Sequence, residues 1–138
     1  MRYAIVSDIH ANLQAWKTVR DDILQTGVDE ILCLGDVVGY GPRPVEVLDD
    51  VRYYCENFVL GNHDAVVADK LDASLFNDDA RYLIDWTCQE LGDSAVRFFS
   101  NVPMVMGDNR MMCVHAESAI PERWSYIVEP EQARESFE

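Results

Sequence analysis

Residues 57–64 read Asn-Phe-Val-Leu-Gly-Asn-His-Asp, and the interpretation of the whole chain starts from this stretch. Phe58, Val59 and Leu60 form a continuous apolar run, which is typical of a strand buried on both faces. Gly61 then permits a sharp turn, and an amide, an imidazole and a carboxylate follow in a row. Ordinary turns also favour asparagine and aspartate, so this stretch alone does not establish a site.

Two earlier apolar runs end in the same way. Residues 3–6 lead into Ser-Asp-Ile-His at 7–10, and residues 31–34 lead into Gly-Asp-Val-Val-Gly at 35–39. The chain has three histidines, and each follows an apolar run: His10, His63 and His115. This agreement between separate segments predicts polar side chains gathered at the ends of strands.

The segments between these strands have helical periodicity. Residues 12–27 are predicted to form a helix, with Asn12 as N-cap and Gly27 as its stop. Its apolar face is formed by Leu13, Trp16, Val19, Ile23 and Leu24. Pro44 is suited to begin a second helix, whose apolar face holds Val47, Leu48 and Val51. Alternating strands and helices predict a parallel sheet, with the first strand central and a site at the carboxyl ends of the strands.

After residue 64 the pattern predicts three more helices and a hairpin. The helices are placed over residues 77–91, 94–100 and 129–138. Apolar residues at 104–106 and 110–114 flank Gly-Asp-Asn, which predicts a β-hairpin. The sheet therefore turns antiparallel immediately before His115.

Length and composition limit the class of protein. A chain of 138 residues is predicted to form one domain over residues 1–138. A net charge of -14 argues against duplex nucleic acid as the partner, and no apolar stretch reaches membrane-spanning length. The four cysteines form no Cys-x-x-Cys pair and are expected to be buried free thiols: Cys33, Cys55, Cys88 and Cys113. The expected location is the cytoplasm.

Four motifs in this order resemble those of the calcineurin-like metallophosphoesterase family. They are Asp-x-His at 8–10, Gly-Asp-x-x-Gly at 35–39, Gly-Asn-His-Asp at 61–64 and Val-His at 114–115. The resemblance covers residues 2–121 and implies an α/β fold, an α/β/β/α sandwich of mixed sheets. It also implies hydrolysis of a phosphomonoester or phosphodiester by metal-activated water. Within the family, the Gly-Asp-Val-Val-Gly segment resembles a bacterial subgroup with protein phosphatase-like and dinucleoside polyphosphatase-like members.

The resemblance also implies which residues hold metal. It implies two divalent metal ions, with manganese, iron, zinc and nickel as candidates, bound by Asp8, His10, Asp36, Asn62 and His115. Asp8 and His10 are expected to serve one ion and Asp36 to bridge both, because carboxylate and imidazole groups converge from neighbouring strand ends. Asn62 and His115 are expected to serve the second ion.

The remaining candidates are expected to act on the substrate. By resemblance, His63 contacts the phosphoryl group and acts as a general acid, and Asp64 orients its ring and favours its charged form. Arg43 is suited to bind a phosphate, or is an ordinary surface arginine. Trp124 and Tyr126 follow His115 closely and are candidates for the border of the site.

One motif of the family is missing. A Gly-His-x-His motif follows the position of His115 in family members, and this chain has no histidine after His115. A C-terminally truncated fold is the expected explanation, with weaker metal binding and an exposed hairpin edge that favours homo-oligomers. The expected partners are a phosphorylated small molecule, a nucleotide or a phosphoprotein, without a membrane. The alternative is a catalytically impaired fragment or a silent scaffold or binding module.

Overall fold

The computed structural model describes residues 1–137, and a three-stranded parallel sheet organises it. Its strands are β1 (Tyr3–Val6), β2 (Glu30–Cys33) and β3 (Asn57–Phe58), in the order β1-β2-β3. β1 and β2 pair along their whole length, in a register that places Ile5 opposite Leu32. The predicted parallel sheet is therefore confirmed.

Two details of this sheet differ from the prediction. β1 is an edge strand in the described part of the chain, because β2 lies between β1 and β3, and its Ile5 is 56% exposed. β3 ends at Phe58, not at residue 60. The chain leaves the ladder there because the Leu60 amide donates to the carbonyl of Pro103 at 2.8 Å. Val59 and Leu60 are nevertheless buried, as their apolar run predicted.

The helices follow the predicted order, with one addition. They are α1 (Leu13–Thr26), α2 (Pro44–Tyr54), α3 (Asn62–Val67), α4 (Asp78–Ser100) and α5 (Pro130–Glu135). α3 was not predicted. Asn12 caps α1 by accepting from the amide of Ala15 at 3.1 Å. α4 consists of two helical parts divided at Gly92, whose φ of 65° and ψ of -176° break the helical backbone, in agreement with the two helices predicted over residues 77–91 and 94–100.

The C-terminal prediction is only partly covered. α5 lies inside the helix predicted over residues 129–138, and residue 138 lies outside the described residues. That the chain forms one domain over residues 1–138 stays a prediction.

The apolar face of α1 is narrower than predicted. Leu13, Trp16 and Ile23 are buried, whereas Val19 and Leu24 are exposed. At 3.6 residues per turn, Val19 and Leu24 lie roughly 70° to either side of the middle of this buried stripe. Arg20 occupies the middle of the stripe and pairs with a residue of α2.

The two faces of the parallel sheet serve different layers. Ile31 and Cys33 of β2 pack with the helices, in the main core. Leu32, between them, points to the other face and packs with Val59 and Cys113. Cys113 belongs to an antiparallel hairpin formed by β4 (Val105–Gly107) and β5 (Met112–Val114). Helices, parallel sheet and hairpin therefore stack in layers, which confirms the α/β fold class.

The four cysteines are largely buried, as the sequence predicts. All four are free thiols; Cys33, Cys55 and Cys113 are buried and Cys88 is half-buried. Burial raises the pKa of the Cys55 thiol to about 12, so it stays protonated at neutral pH. None of the helices in the described residues has the length and apolar character that crossing a membrane requires.

A polar contact joins α1 to α2 and gives a testable prediction. The Asp50 carboxylate accepts from the Trp16 indole and from the Arg20 guanidinium, both at 2.7 Å. Asp50→Ala leaves the buried indole N–H without its partner, so we expect a loss of about 1–3 kcal/mol in the free energy of unfolding, measured in urea. Asp21→Ala removes the exposed partner of the same arginine and should cost less than about 1 kcal/mol. Equal losses would contradict this account.

Candidate metal centre

The loops that follow β1 and β2 are held together by backbone hydrogen bonds. The amides of Asp8 and His10 donate to the carbonyls of Gly35 and Asp36, each at 3.0 Å. Asp8, His10 and Asp36 have φ angles of 55°, 47° and 51°. Residues with a side chain rarely occupy this left-handed region, and such strain concentrates at functional sites.

Asp36 stands at the centre of the site. Its Oδ2 lies 3.7 Å from Nε2 of His10 and 3.5 Å from Nε2 of His115, and its Oδ1 accepts the backbone N–H of His63 at 2.9 Å. Potential ligand atoms form two groups, each within 4.8 Å: His10 with Asp36 and His63, and Asp8 with Asp36 and His115. Asp36 belongs to both groups, which is the arrangement that a bridging carboxylate requires.

Backbone carbonyls orient two of the imidazoles. Nδ1 of His10 lies 3.0 Å from the Val38 carbonyl, and Nδ1 of His115 lies 2.7 Å from the Leu34 carbonyl. In the neutral tautomer that carries its proton on Nδ1, each ring would offer the lone pair of Nε2 to a cation beside Asp36. A second contact of this kind is what orients metal-ligating histidines in proteins. The side chains present therefore fit a divalent cation.

The electrostatics of the centre are dominated by the buried carboxylate of Asp36. Burial disfavours the charged forms of both Asp36 and His115. The contact with Asp36 nevertheless raises the pKa of His115 to about 9. Desolvation acts against the Asp36 carboxylate, and the surrounding histidines still lower its pKa. A carboxylate kept ionised in a buried place attracts cations strongly, because little water screens it.

His63 differs from the other two histidines. Its ring is buried against His10, Tyr40 and Phe76, with centroid distances of 4.9, 4.7 and 4.7 Å. Within residues 1–137, its Nδ1 has no hydrogen-bond partner. Burial lowers the pKa of His63, so the neutral ring is favoured. This direction is opposite to the charged form that was predicted, and the effect of Asp64 on the charge of His63 stays a prediction.

Asp64 was predicted to orient the ring of His63, but it does not. Its carboxylate accepts the backbone N–H groups of Val37, Val38 and Gly61, at 3.1, 3.3 and 3.3 Å. The reason is that α3 begins at Asn62, and successive side chains of a helix point in different directions. Burial, and then the nearby Asp36, raise the pKa of Asp64 to about 7. Asp64 thus fixes the loop that carries Asp36.

The other predicted residues lie in two different places. Asn62 borders the same cavity as Asp8 and His115, so it lies near two of the other predicted ligands. Arg43 stands at the start of α2, where its Nε donates to Glu46 at 2.6 Å. It does not line either cavity beside the centre, and a contact with substrate stays a prediction.

Aromatic side chains surround the centre, and only some of them were predicted from the sequence. Trp124 and Tyr126 line both cavities beside the site. Tyr40 and Phe76 were missed, although both touch His63. Phe76 lies in the segment after α3, which has no periodic pattern. Tyr40 lies between two glycines in the sequence, and no local pattern there indicates that its ring contacts His10 and His63.

Known proteins resemble this chain along most of its length. An uncharacterized protein of Methanocaldococcus jannaschii is 35% identical over 128 residues, which are 90% of this chain and 53% of that protein. A symmetrical bis(5'-nucleosyl)-tetraphosphatase of Erwinia tasmaniensis is 29% identical, over 95% of this chain and 49% of its own length. The chain thus spans about half the length of the curated relatives it matches.

A solved structure and a family profile agree with these relatives. The crystal structure of a metallophosphoesterase from Sphaerobacter thermophilus superposes with a TM-score of 0.83 at 38% identity, covering 99% of this chain and 55% of that one. The profile described as calcineurin-like phosphoesterase matches residues 1–135. Since the motifs that meet around Asp36 fall within this match, the chain belongs to the calcineurin-like phosphoesterase family.

Proposed function

We propose that this chain carries out metal-dependent hydrolysis of a phosphomonoester or phosphodiester. The observation that carries the proposal is the carboxylate of Asp36, which two groups of potential ligands share. We assign the metal ligands to Asp8, His10, Asp36, Asn62 and His115. Two divalent cations held there would neutralise phosphate charge and lower the pKa of a water molecule. Asp8 lies within 3.7 Å of His10, so the ligands of each ion stay a prediction.

His63 is proposed to serve the leaving group. In the hydrolysis, water adds to phosphorus, the bond to the leaving oxygen breaks, and that oxygen takes up a proton. His63 borders the cavity next to the centre and has a ring nitrogen free of other partners in the described residues, which supports a role in that proton transfer. The backbone N–H of His63 donates to Oδ1 of Asp36, so His63 is also in direct contact with a proposed ligand. Asp64 supports both through the loop that it fixes.

The reaction is tested with manganese and two generic substrates, an aryl phosphodiester and an aryl phosphomonoester. Activity that depends on manganese would support the proposal, and the ratio of the two rates would separate diesterase from monoesterase. Manganese binding without turnover would instead support a binding module with this fold. The name of the relative from Erwinia tasmaniensis supports nucleotides among the candidate substrates, beside phosphorylated small molecules and phosphoproteins.

His63→Asn distinguishes an acid from a ligand. Its ligand atom lies within 4.8 Å of those of His10 and Asp36, so it could also hold metal. We expect turnover to fall about 10²–10⁴-fold, the usual contribution of general acid–base catalysis, while manganese affinity measured by calorimetry is kept. His115→Asn is the matched variant and should lose both. Equal losses of affinity in the two variants would show that His63 is a ligand.

Two further proposals concern the surroundings of the protein. The free cysteines support a reducing compartment, the cytoplasm, and recovery of the chain outside it after cell fractionation would contradict this. Val105 and Met112 are exposed on the hairpin, which supports self-association through its edge. A single monomeric species in sedimentation at high concentration would argue against it.

A further inference from the structure

A cavity of about 300 Å³ opens beside His63, away from Asp8 and His115. Asn62 and His63 form its border with the candidate centre. The opposite walls come from distant parts of the chain and are formed by Tyr40, Leu71, Phe76, Ala80, Arg123 and Trp124. A group attached to a phosphate at the centre is therefore within reach of this cavity, since Asn62 and His63 border both.

Aromatic rings form much of its wall. Phe76 and Tyr40 each contact the ring of His63, at centroid distances of 4.7 Å. Tyr40 and Trp124 have φ angles of 58° and 54°, which are unusual for bulky residues. Strain of this kind persists only where the surrounding structure imposes it. Both rings are thus held at the cavity at a cost to the local backbone.

The charge of the cavity suits an anionic ligand. Arg123 is the one lysine or arginine among the residues that line it, and within residues 1–137 its guanidinium makes no ion pair or side-chain hydrogen bond. The whole chain carries a net charge of -14, so a local cation matters for binding any phosphate. A guanidinium also stacks on flat rings.

We infer that this cavity, called here the aromatic pocket, binds a planar aromatic ring on the leaving group of the phosphoester. The inference rests on the proposed function and narrows it to esters whose alcohol part carries such a ring, as in a nucleoside. Flat rings stack on aromatic walls, whereas an aliphatic or sugar alcohol makes fewer such contacts. Arg123 adds a positive charge to the wall of the pocket, which favours a ligand that also carries phosphate.

The test compares adenosine 5'-monophosphate with ribose 5-phosphate, which share sugar and phosphate and differ in the base. Both are titrated into the manganese-loaded chain by calorimetry, and tryptophan fluorescence is followed in parallel. We expect the adenine compound to bind at least about tenfold more tightly, from the usual contribution of base stacking. Fluorescence quenching should disappear in Trp124→Phe, which assigns the signal among the three tryptophans.

Variants place the effect in the aromatic pocket. Phe76→Leu should remove most of the advantage of the adenine compound and leave the affinity for ribose 5-phosphate unchanged. Tyr53→Leu is the matched control, because Tyr53 is 81% exposed on α2 and does not line the pocket, and it should change neither affinity. A melting curve of each variant excludes misfolding.

The outcomes separate this inference from the proposed function. Equal affinities of the two compounds for the unchanged chain, or no binding of the adenine compound, would overturn the aromatic pocket even if the chain hydrolyses esters. An advantage for the adenine compound that Phe76→Leu removes would support it even if turnover is absent. An advantage that survives Phe76→Leu and Trp124→Phe would also overturn it.

Discussion

Asp36→Asn is expected to abolish metal-dependent hydrolysis while the chain keeps its fold. Mutation of a residue that only orients a metal ligand typically costs about 10–100-fold in affinity or activity. Asp36 contributes to both groups of ligands, so we expect turnover to fall by more than about 100-fold. Asparagine keeps an oxygen that can accept the backbone N–H of His63, and it has nearly the same volume. The melting temperature should therefore change little.

Variants of single groups make this expectation sharper. Asp8→Asn and His10→Asn each alter one group, so each should weaken manganese binding less than Asp36→Asn, which alters both groups. Asp108→Asn is a control carboxylate in the hairpin turn, where it pairs with Arg110. If Asp36→Asn kept full activity, the assignment of the shared ligand would be wrong. If it lost activity together with its circular dichroism spectrum, the fold and not the metal would be responsible.

Gly61→Ala is expected to disrupt the site through contact alone. A Cβ atom at Gly61 would lie 2.1 Å from Oδ1 and 2.2 Å from the backbone nitrogen of Asp36. The φ of Gly61 is -89°, a value that any residue adopts, so conformational strain does not contribute. Because backbone cannot yield easily, we expect a loss of about 1–3 kcal/mol in the free energy of unfolding. Activity should fall by about 100-fold or more, since displacing a reacting group by 1 Å has that effect.

Gly27→Ala is the matched comparison. Gly27 has a φ of 69°, and a Cβ atom there would meet nothing within 4 Å, so the substitution brings conformational strain without contact. We expect it to lose roughly 1–2 kcal/mol of stability while the remaining folded protein keeps its activity. Activity per folded molecule, from urea unfolding and initial rates, separates the two cases. Unchanged activity in Gly61→Ala would contradict the close approach of the two strand ends.

The gathering of polar side chains could be predicted from sequence because parallel strands end at one edge of a sheet. Asp8, Asp36 and Asn62 each follow an apolar run, and no knowledge of side-chain directions was needed to bring them together. The role of Asp64 could not be predicted in the same way. It depends on α3 beginning at Asn62, a helix of six residues that leaves almost no periodic signal.

Contacts between distant segments were the other limit. The sequence pattern identifies Val19 and Leu24 as apolar, but it does not show that Arg20 takes the middle of the buried stripe by pairing with Asp50. The same holds for Phe76, whose contact with His63 is a property of the folded chain. Strand order is a third case, since local pattern does not distinguish an edge strand from a central one.

The left-handed backbone conformation of Asp8 and His10 lowers the stability of the fold at two residues that are proposed to bind metal. Each conformation costs a residue with a side chain roughly 1–3 kcal/mol. Glycine adopts this left-handed conformation without that cost. It destabilises the folded state by only about 0.5–1 kcal/mol, because the unfolded chain gains conformational entropy. Glycine at either position would thus make the protein more stable and remove a proposed metal ligand. A chain selected only to fold would drift towards that exchange, and the presence of aspartate and histidine instead favours a site that is still in use.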